Sequence, residues 1–470
     1  MNFIQTFEKG VRNIFPSTFT IAIFLTILTF ILAFFLTDTI DVSLSENSIY
    51  KEVAADSLSN SDNHFLQLLG FWYKGLWNSS MLAFAVQMML ILVLGYVLAS
   101  TSVVQKLIDK VLIYCTSTSK AAFLVTLITL FVSFFNWGLG LIFGAIFARK
   151  VGEYASKRNI TLNYPLIAAA GYSGLMVWHG GISGSAPLKV AEAGHLLSLT
   201  GRNIHAIDLG QTIFSPMNLT ITVILLVVLP SVMYFIGRKN SGLAKPDIVE
   251  TRSQEMKFTP LISGAEKIDY SQIAGMGLGI TFLLIASYKA MLAGNISVID
   301  PNFLNFLLLG LALLFCGNIA TFLNRVKSAM GASAGILIQF PLYFGIMGVM
   351  KYSGLVEIFS GFLMNISNVT TFPLFTFFSA GLVNIFVPSG GGQWVVQGPI
   401  IVEAAQNLGV PLSKSIMALA YGDQITNMIQ PFWALPLLGI TGLKAKDIIP
   451  YTLFLMLIGI VVFISGLLVF

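Results

Sequence analysis

Charge is scarce in this 470-residue sequence. Asp, Glu, Lys and Arg make up 10% of it, against 56% hydrophobic residues. Soluble domains carry about 25% charged residues, and the apolar runs here are continuous over about twenty residues, the length of a membrane-spanning helix. The alternating pattern of a membrane β-barrel is absent. The expected fold class is therefore an all-α polytopic membrane protein, with the lipid bilayer as its first partner. Cysteine is nearly absent too: Cys115 and Cys316 stand alone near apolar segments, so no disulfide framework or metal cluster can be built from them. No nucleophile–base set or nucleotide loop is present, so no enzyme and no cofactor beyond a coupling ion are expected. The net charge of +5 is spread over loops without a basic tract. That pattern reports membrane orientation, not a nucleic-acid partner. The first apolar run, 17–36, is too long for a signal-peptide core and lacks a small-residue cleavage site, so it reads as a helix.

What the sequence does contain is breaks inside apolar segments. The run that stops at Val387-Pro388-Ser389-Gly390-Gly391-Gly392-Gln393-Trp394 carries proline, three glycines and polar side chains where a spanning helix would be deepest. Unsatisfied backbone in hydrocarbon costs several kcal/mol, so such a stretch survives only where protein buries it or water fills a cavity. It reads as the tip of a re-entrant hairpin over 369–408. A second such hairpin, about 119–150, is read from an apolar run that starts after Lys120 and ends at Arg149, with its tip at 136–140. Two helices are interrupted in the middle: one over 163–199, broken from Ser173-Gly174 through Pro187, and one over 413–442, broken from Gly422 through Pro431. Further helices are expected at 80–100, 216–236, 271–292, 303–323, 329–350 and 450–470. A charged loop, 238–269, divides the chain, and Arg325 and Lys327 mark a short turn. The polar segment 37–78 ends in Phe71-Trp72-Tyr73 and Trp77, rings suited to a membrane interface.

The layout repeats. Residues 1–237 and 303–470 each run helix, helix, amphipathic piece, hairpin, broken helix, helix, with 238–302 as loop and connecting helix. Tyr172 and Pro187 are spaced like Tyr421 and Pro436, and Asn136 and Asn384 precede those tyrosines by nearly the same interval. With the N-terminus inside, most of the 26 Lys and Arg fall on the cytoplasmic side of a bacterial inner membrane, and the C-terminus lies outside. The second half is then inverted relative to the first. Inverted repeats with broken helices meeting at the midplane characterise secondary transporters.

Four stretches, NWGLGLIFGAIFARKVG, GYSGLMVWHGGISGSAPL, NIFVPSGGGQWVVQGPI and ALAYGDQITNMIQPFWALPLLGI, resemble the short-chain fatty acid transporter family, the acetoacetate and butyrate permeases. The similarity covers nearly the whole chain. The wider ion transporter superfamily implies a scaffold domain, a mobile domain of hairpins and broken helices, elevator-like movement and a homodimer. The Ser-Asn-Thr hairpin tips of the dicarboxylate branch are absent, so sodium coupling does not carry over.

Glycine-rich turns at helix N-termini can present backbone N–H groups to a carboxylate. Gly180, Gly181 and Gly184, with Gly390, Gly391 and Gly392, are the candidate anion contacts, helped by Ser183, Ser185, Ser389 and Gln393 and with Trp394 beside them. His179, at the equivalent break, is a candidate to bind the carboxylate or to titrate near neutral pH; its alternative is a buried histidine that hydrogen-bonds backbone. The alternative for such glycines is close helix packing. Asp423, an ionisable group inside a broken helix, is the candidate proton carrier or cation ligand. Its alternative is a structural partner for backbone or Lys189. Asn136, Asn384, Thr426 and Asn427 offer oxygens suited to Na⁺, although amides also cap broken helices. Trp137, Trp178, Trp394 and Trp433 are candidate walls for an acyl chain, or wedges for the hairpins. Lys189 and Glu192, one turn apart, are expected to pair, and His64, His195 and His205 are placed in or near exposed loops. The function expected is symport of a short-chain monocarboxylate, driven by H⁺. The alternative is sodium-coupled transport of another organic anion (a dicarboxylate, citrate or an amino-acid derivative).

Overall fold

The computed structural model describes residues 15–40, 56–239, 264–294 and 298–470, with Gly10 and Val53 besides. Lys9, Arg12 and residues 240–263 of the charged loop lie outside the described residues. Among the described residues every regular element is helical. The chain opens with α1 (Thr18–Leu36), α2 (His64–Leu76), α3 (Ser79–Ala99) and α4 (Ser102–Leu112). Hairpin 1 is α5 (Thr118–Phe135) and α6 (Trp137–Lys157). The first broken segment holds α7 (Tyr164–Tyr172), a 3-10 turn (Ser173–Met176), α8 (Ser185–Lys189) and α9 (His195–Thr200), and α10 (Pro216–Lys239) follows it. Then come α11 (Glu266–Asp269), α12 (Gln272–Ala293), α13 (Pro301–Cys316), α14 (Ile319–Ala329), α15 (Ala334–Tyr352) and α16 (Leu355–Asn365). Hairpin 2 is α17 (Phe372–Phe386) and α18 (Gly390–Leu408). The second broken segment is α19 (Leu412–Thr426), a 3-10 turn (Asn427–Ile429) and α20 (Pro431–Thr441), before the final α21 (Ala445–Val469).

Seven helical stretches among the described residues are long and apolar enough to cross a membrane. Of these, α1 and α12 bury little of their apolar surface inside the protein, which leaves that surface to the bilayer. The protein is a multi-pass membrane protein.

Helix crossings are set by glycine where backbones touch. A Cβ on Gly144 would lie 2.0 Å from the Gly171 carbonyl oxygen, and one on Gly171 2.3 Å from that of Gly144, so α6 and α7 cross backbone to backbone. Gly422 does the same for α19 against α17: its Cβ would meet the Phe377 oxygen at 2.1 Å. At the base of hairpin 1, Arg149 Nη1 donates to the Ile440 carbonyl at 2.6 Å, tying the hairpin to α20, and at the start of α7 the Tyr164 hydroxyl donates to the Thr441 carbonyl at 3.1 Å. A smaller apolar cluster joins Trp394 and Ile401 of hairpin 2 to Val190, Leu196 and Ile207.

The structure corrects several boundaries. The first hairpin turns on Asn136 alone; Trp137 to Gly140 are already helical, because the Asn136 side chain caps α6 by accepting from the Leu139 amide at 2.9 Å. The helix expected over 303–323 stops at Cys316, where Gly317 takes φ +81° and Asn318 caps a new helix; Arg325 and Lys327 lie on that helix, not in a turn. The chain does not continue as one helix from Leu188 to Leu199: α8 is five residues long, and Gly194, at φ +76°, starts α9. The 37–78 segment contains α2. Its Phe71 is buried against Tyr352, while Tyr73 and Trp77 are exposed. The second break begins later than expected, since α19 remains helical through Thr426. Pro431, which lacks an N–H and forces Gln430 out of the helical region (ψ 117°), sets that break.

Candidate functional site

The two broken segments and the tip of hairpin 2 meet at one buried pair. His179 Nδ1 lies 2.5 Å from Asp423 Oδ2, and the two side chains are 0% and 1% exposed. The pair joins residues 244 positions apart. Asp423 therefore sits on helical backbone in the last turn of α19, not in an unwound stretch, and its partner is His179 and not Lys189. The expected surface pair does form: Lys189 Nζ lies 2.9 Å from Glu192 Oε1, with both half exposed.

Hydrogen bonding fixes the tautomer of the His179 ring. The Ala186 amide, which can only donate, points at His179 Nε2 at 3.2 Å. Nε2 must then be the acceptor, so Nδ1 carries the imidazole proton and donates it to the Asp423 carboxylate. Both side chains are buried, and among the described residues their one ion-pair link is to each other. Asp423 Oδ1 is buried and has no hydrogen-bond partner.

Hairpin 2 caps this pair. A Cβ on Gly390 would stand 2.8 Å from His179 Cε1, 2.8 Å from Trp178 Cη2 and 3.2 Å from Asp423 Oδ2. Glycine is what allows the tip to come down onto the pair. Ser389 caps α18 by accepting from the Gly392 amide at 3.1 Å, and Gln393 N donates to the Ser389 carbonyl. The Gly390 and Gly391 amides, in the first turn, have no acceptor from within the helix. Gly391 faces Ser185, whose Oγ would lie 3.9 Å from a Cβ there.

The other expected anion contacts are engaged elsewhere. Gln424 Oε1 accepts from the His179 and Gly180 amides at 2.9 and 3.4 Å. Gly181 N donates to the Trp178 carbonyl and Gly184 N to that of Gly181. Ser183 Oγ accepts from the Trp137 amide at 2.9 Å, so it ties the hairpin 1 tip to the first break. Gly181 is packed against hairpin 1: a Cβ there would strike the Phe134 oxygen at 2.5 Å. Gln393 donates to the Ala380 carbonyl and to Gln397 Oε1, within hairpin 2.

The amide cluster is a cross-link between α17 and the second break. Asn384 Nδ2 lies 2.6 Å from the Asp423 carbonyl oxygen, 2.8 Å from Thr426 Oγ1 and 2.8 Å from Asn427 Oδ1. Gln430 Nε2 donates to the Asn384 carbonyl, and the Tyr172 hydroxyl donates to that of Asn427 at 2.7 Å. Asn136 stands apart, beside Ile299.

Three of the four tryptophans gather. Trp137 lies 6.0 Å from Trp178 and 5.1 Å from Trp433, ring centre to ring centre, and Phe84 of α3 closes the group. Trp178 stacks on His179 at 4.4 Å, so this aromatic wall adjoins the pair. Trp394 is elsewhere: its Nε1 donates to His195 Nε2 at 2.9 Å. His195 is accordingly not a free loop residue, and neither is His64, which stacks on Phe34 and bonds Thr37.

The sequence model of the short chain fatty acid transporter family matches residues 3–470. The chain belongs to the short-chain fatty acid transporter family. A protein of Escherichia coli (strain K12) is 36% identical over 465 residues, covering 97% of this chain and 96% of its own. One from Haemophilus influenzae (strain Rd) is 35% identical over 475 residues, covering 99% and 98%. Both carry provisional names as short-chain fatty acid transporters. Two solved structures are distantly similar, each at TM-score 0.40 and 16% identity: the efflux pump MtrF of Neisseria gonorrhoeae, covering 98% of this chain and 97% of its own, and the YdaH transporter of Alcanivorax borkumensis, covering 95% and 97%. At that level neither bears on this member of the family.

Sequence reasoning named both members of the pair but not their contact. It missed Gln424, Asn218 and Tyr421. Asn218 Nδ2 donates to the Gly180 and Ile213 carbonyls at 2.7 Å each, and its Oδ1 accepts from the Tyr421 hydroxyl at 2.9 Å. The available signal was an asparagine on an otherwise apolar helix, α10.

Proposed function

We propose that the protein moves short-chain monocarboxylates such as butyrate and acetoacetate across the cytoplasmic membrane by proton-coupled symport. The observation that carries this reading is the buried His179–Asp423 pair with its unpartnered Asp423 Oδ1; with Asp423 ionised, the pair carries one net negative charge. An isolated buried charge is expensive, and a substrate carboxylate beside it would add a second charge of the same sign. A proton on Oδ1 neutralises the pair and keeps the Nδ1–H···O bond. The anion can then be held by the Gly390 and Gly391 amides at the N-terminus of α18, with Ser185 and Ser389 beside them. Proton and anion thus enter as a neutral set. The adjoining face of Trp178, backed by Trp137 and Trp433, offers apolar surface to a short acyl chain and no cation to a second carboxylate. Release requires the hairpin 2 tip to lift from the pair; elevator movement of hairpins and broken helices in a dimer is the larger motion we infer from the fold class.

The test is uptake of butyrate and acetoacetate by proteoliposomes under an imposed ΔpH or a sodium gradient, comparing wild type with Asp423→Asn. Uptake driven by ΔpH and lost in the variant is the expected result. A sodium-driven reading rests on one observation: three oxygens converge on Asn384 Nδ2 at 2.6–2.8 Å, and a rotation of that amide would present oxygens alone. Uptake that follows sodium and ignores ΔpH overturns proton coupling in favour of that cluster. Transport of neither acid overturns the substrate.

A further inference from the structure

Outside the pair, one polar contact ties hairpin 2 to another element through an imidazole, that of His195, which burial holds below its ordinary pKa. Trp394, 1% exposed, lies one turn along α18 from Gly390, on the arm whose first turn touches His179. Its indole N–H donates to His195 Nε2 at 2.9 Å, and the rings lie nearly parallel. An indole nitrogen donates and never accepts, so the bond exists only while His195 Nε2 is unprotonated.

The rest of α9 lies along the same arm. Leu199 Cδ2 would be 3.1 Å from a Cβ on Gly398. Just beyond α9, Arg202 donates to Glu403 Oε1 at 2.6 Å and to Gln406 Oε1 at 2.9 Å. Leu196 and Trp394 share one apolar cluster. The α9 segment is thus a strap along α18, pinned at one end by Arg202 and at the end nearer the tip by His195. The charged groups in electrostatic reach of His195 are Glu192 and Lys189, already paired with each other. On the α18 side, Glu403 is paired with Arg202, more than two turns from Trp394.

We infer that His195 is a positioning residue for the anion-binding tip of hairpin 2: as a neutral imidazole it holds Trp394 and the tip against the pair, and on protonation it releases them. A protonated ring would set two N–H groups against each other, and the fully buried indole would lose its acceptor. The consequence is that acid on the side facing α9 loosens the tip under the conditions in which a proton is available to load. The inference rests on the reading of hairpin 2 as the substrate gate, but its test needs no substrate.

The experiment is hydrogen–deuterium exchange of peptides spanning 388–396 in the full chain embedded in nanodiscs, from pH 5 to 8, corrected for the intrinsic pH dependence of exchange. Wild type should exchange roughly five-fold faster on the acid side of an imidazole titration than on the alkaline side. His195→Gln keeps an acceptor oxygen without a titrating group, so exchange should stay slow at every pH. Trp394→Phe removes the donor and should exchange fast throughout; peptides from hairpin 1 report whether it remains folded. A wild-type step that persists in His195→Gln, or no step in wild type, overturns the inference. If the step appears but butyrate and acetoacetate are not transported, the substrate reading alone fails.

Discussion

Adding one methyl group at Gly390 tests the site at its tightest point. The Cβ of Gly390→Ala would stand 2.8 Å from both His179 Cε1 and Trp178 Cη2, nearer than carbon atoms approach. Neither ring can yield easily. They are stacked on each other at 4.4 Å, both are buried, and His179 is fixed by Asp423 at one nitrogen and the Ala186 amide at the other. The tip must therefore lift. Overpacking of this kind costs about 1–3 kcal/mol, which lowers the population of the closed tip by roughly 5- to 150-fold. Gly391→Ala is the matched control. It adds the same methyl group to the same helix turn, but its Cβ meets nothing nearer than Ser185 Oγ at 3.9 Å. Initial rates of ΔpH-driven butyrate uptake, normalised to protein in the vesicles, should fall at least about five-fold in Gly390→Ala and stay near wild type in Gly391→Ala. Equal rates in the two variants would refute the claim that hairpin 2 closes directly onto the pair.

Three further substitutions probe what supports the site. Ser183→Ala leaves the Trp137 amide without its acceptor, which should cost about 1 kcal/mol and lower the melting temperature by a few degrees, with faster exchange at the hairpin 1 tip; unchanged exchange there would argue against the link. Asn218→Leu strands two carbonyls and the Tyr421 hydroxyl, whereas Tyr421→Phe removes only the hydroxyl. In thermal unfolding the first should be destabilised by about 3 kcal/mol or more and the second by about 1 kcal/mol; the reverse order would contradict the geometry.

The architecture was legible because hydrocarbon punishes loose backbone. Prolines, glycines and polar side chains inside apolar runs marked the hairpins and broken segments within a few residues. The errors came where one residue decides whether a helix goes on. Gly422 looked like a break but serves a backbone crossing with α17, a tertiary fact that a glycine does not advertise. Gly317 and Gly194 looked like ordinary helix glycines, yet both adopt positive φ and end or start helices. The same residue type supplied close contact in one place and a left-handed turn in the other, and only the packed partner distinguishes them.

The site was legible as parts and not as a circuit. His179 and Asp423 each stood out as ionisable groups in broken apolar segments, but a contact across 244 residues leaves no local periodicity to read. Its consequence reaches further than its discovery. Taken alone, His179 looked like a carboxylate ligand; with Nδ1 on Asp423 and Nε2 on the Ala186 amide, it has no nitrogen left for a substrate. In the proposed mechanism its task is to donate its Nδ1 proton to Asp423 while the other carboxylate oxygen takes the transported proton. Of the glycine amides expected to face an anion, those of Gly390 and Gly391 in the first turn of α18 are the ones left without an acceptor within their helix, and in the proposed function they hold the anion. In the symport proposed above, that division, charge on one broken segment and dipole on the opposing hairpin, is what would tie loading of the proton to loading of the anion.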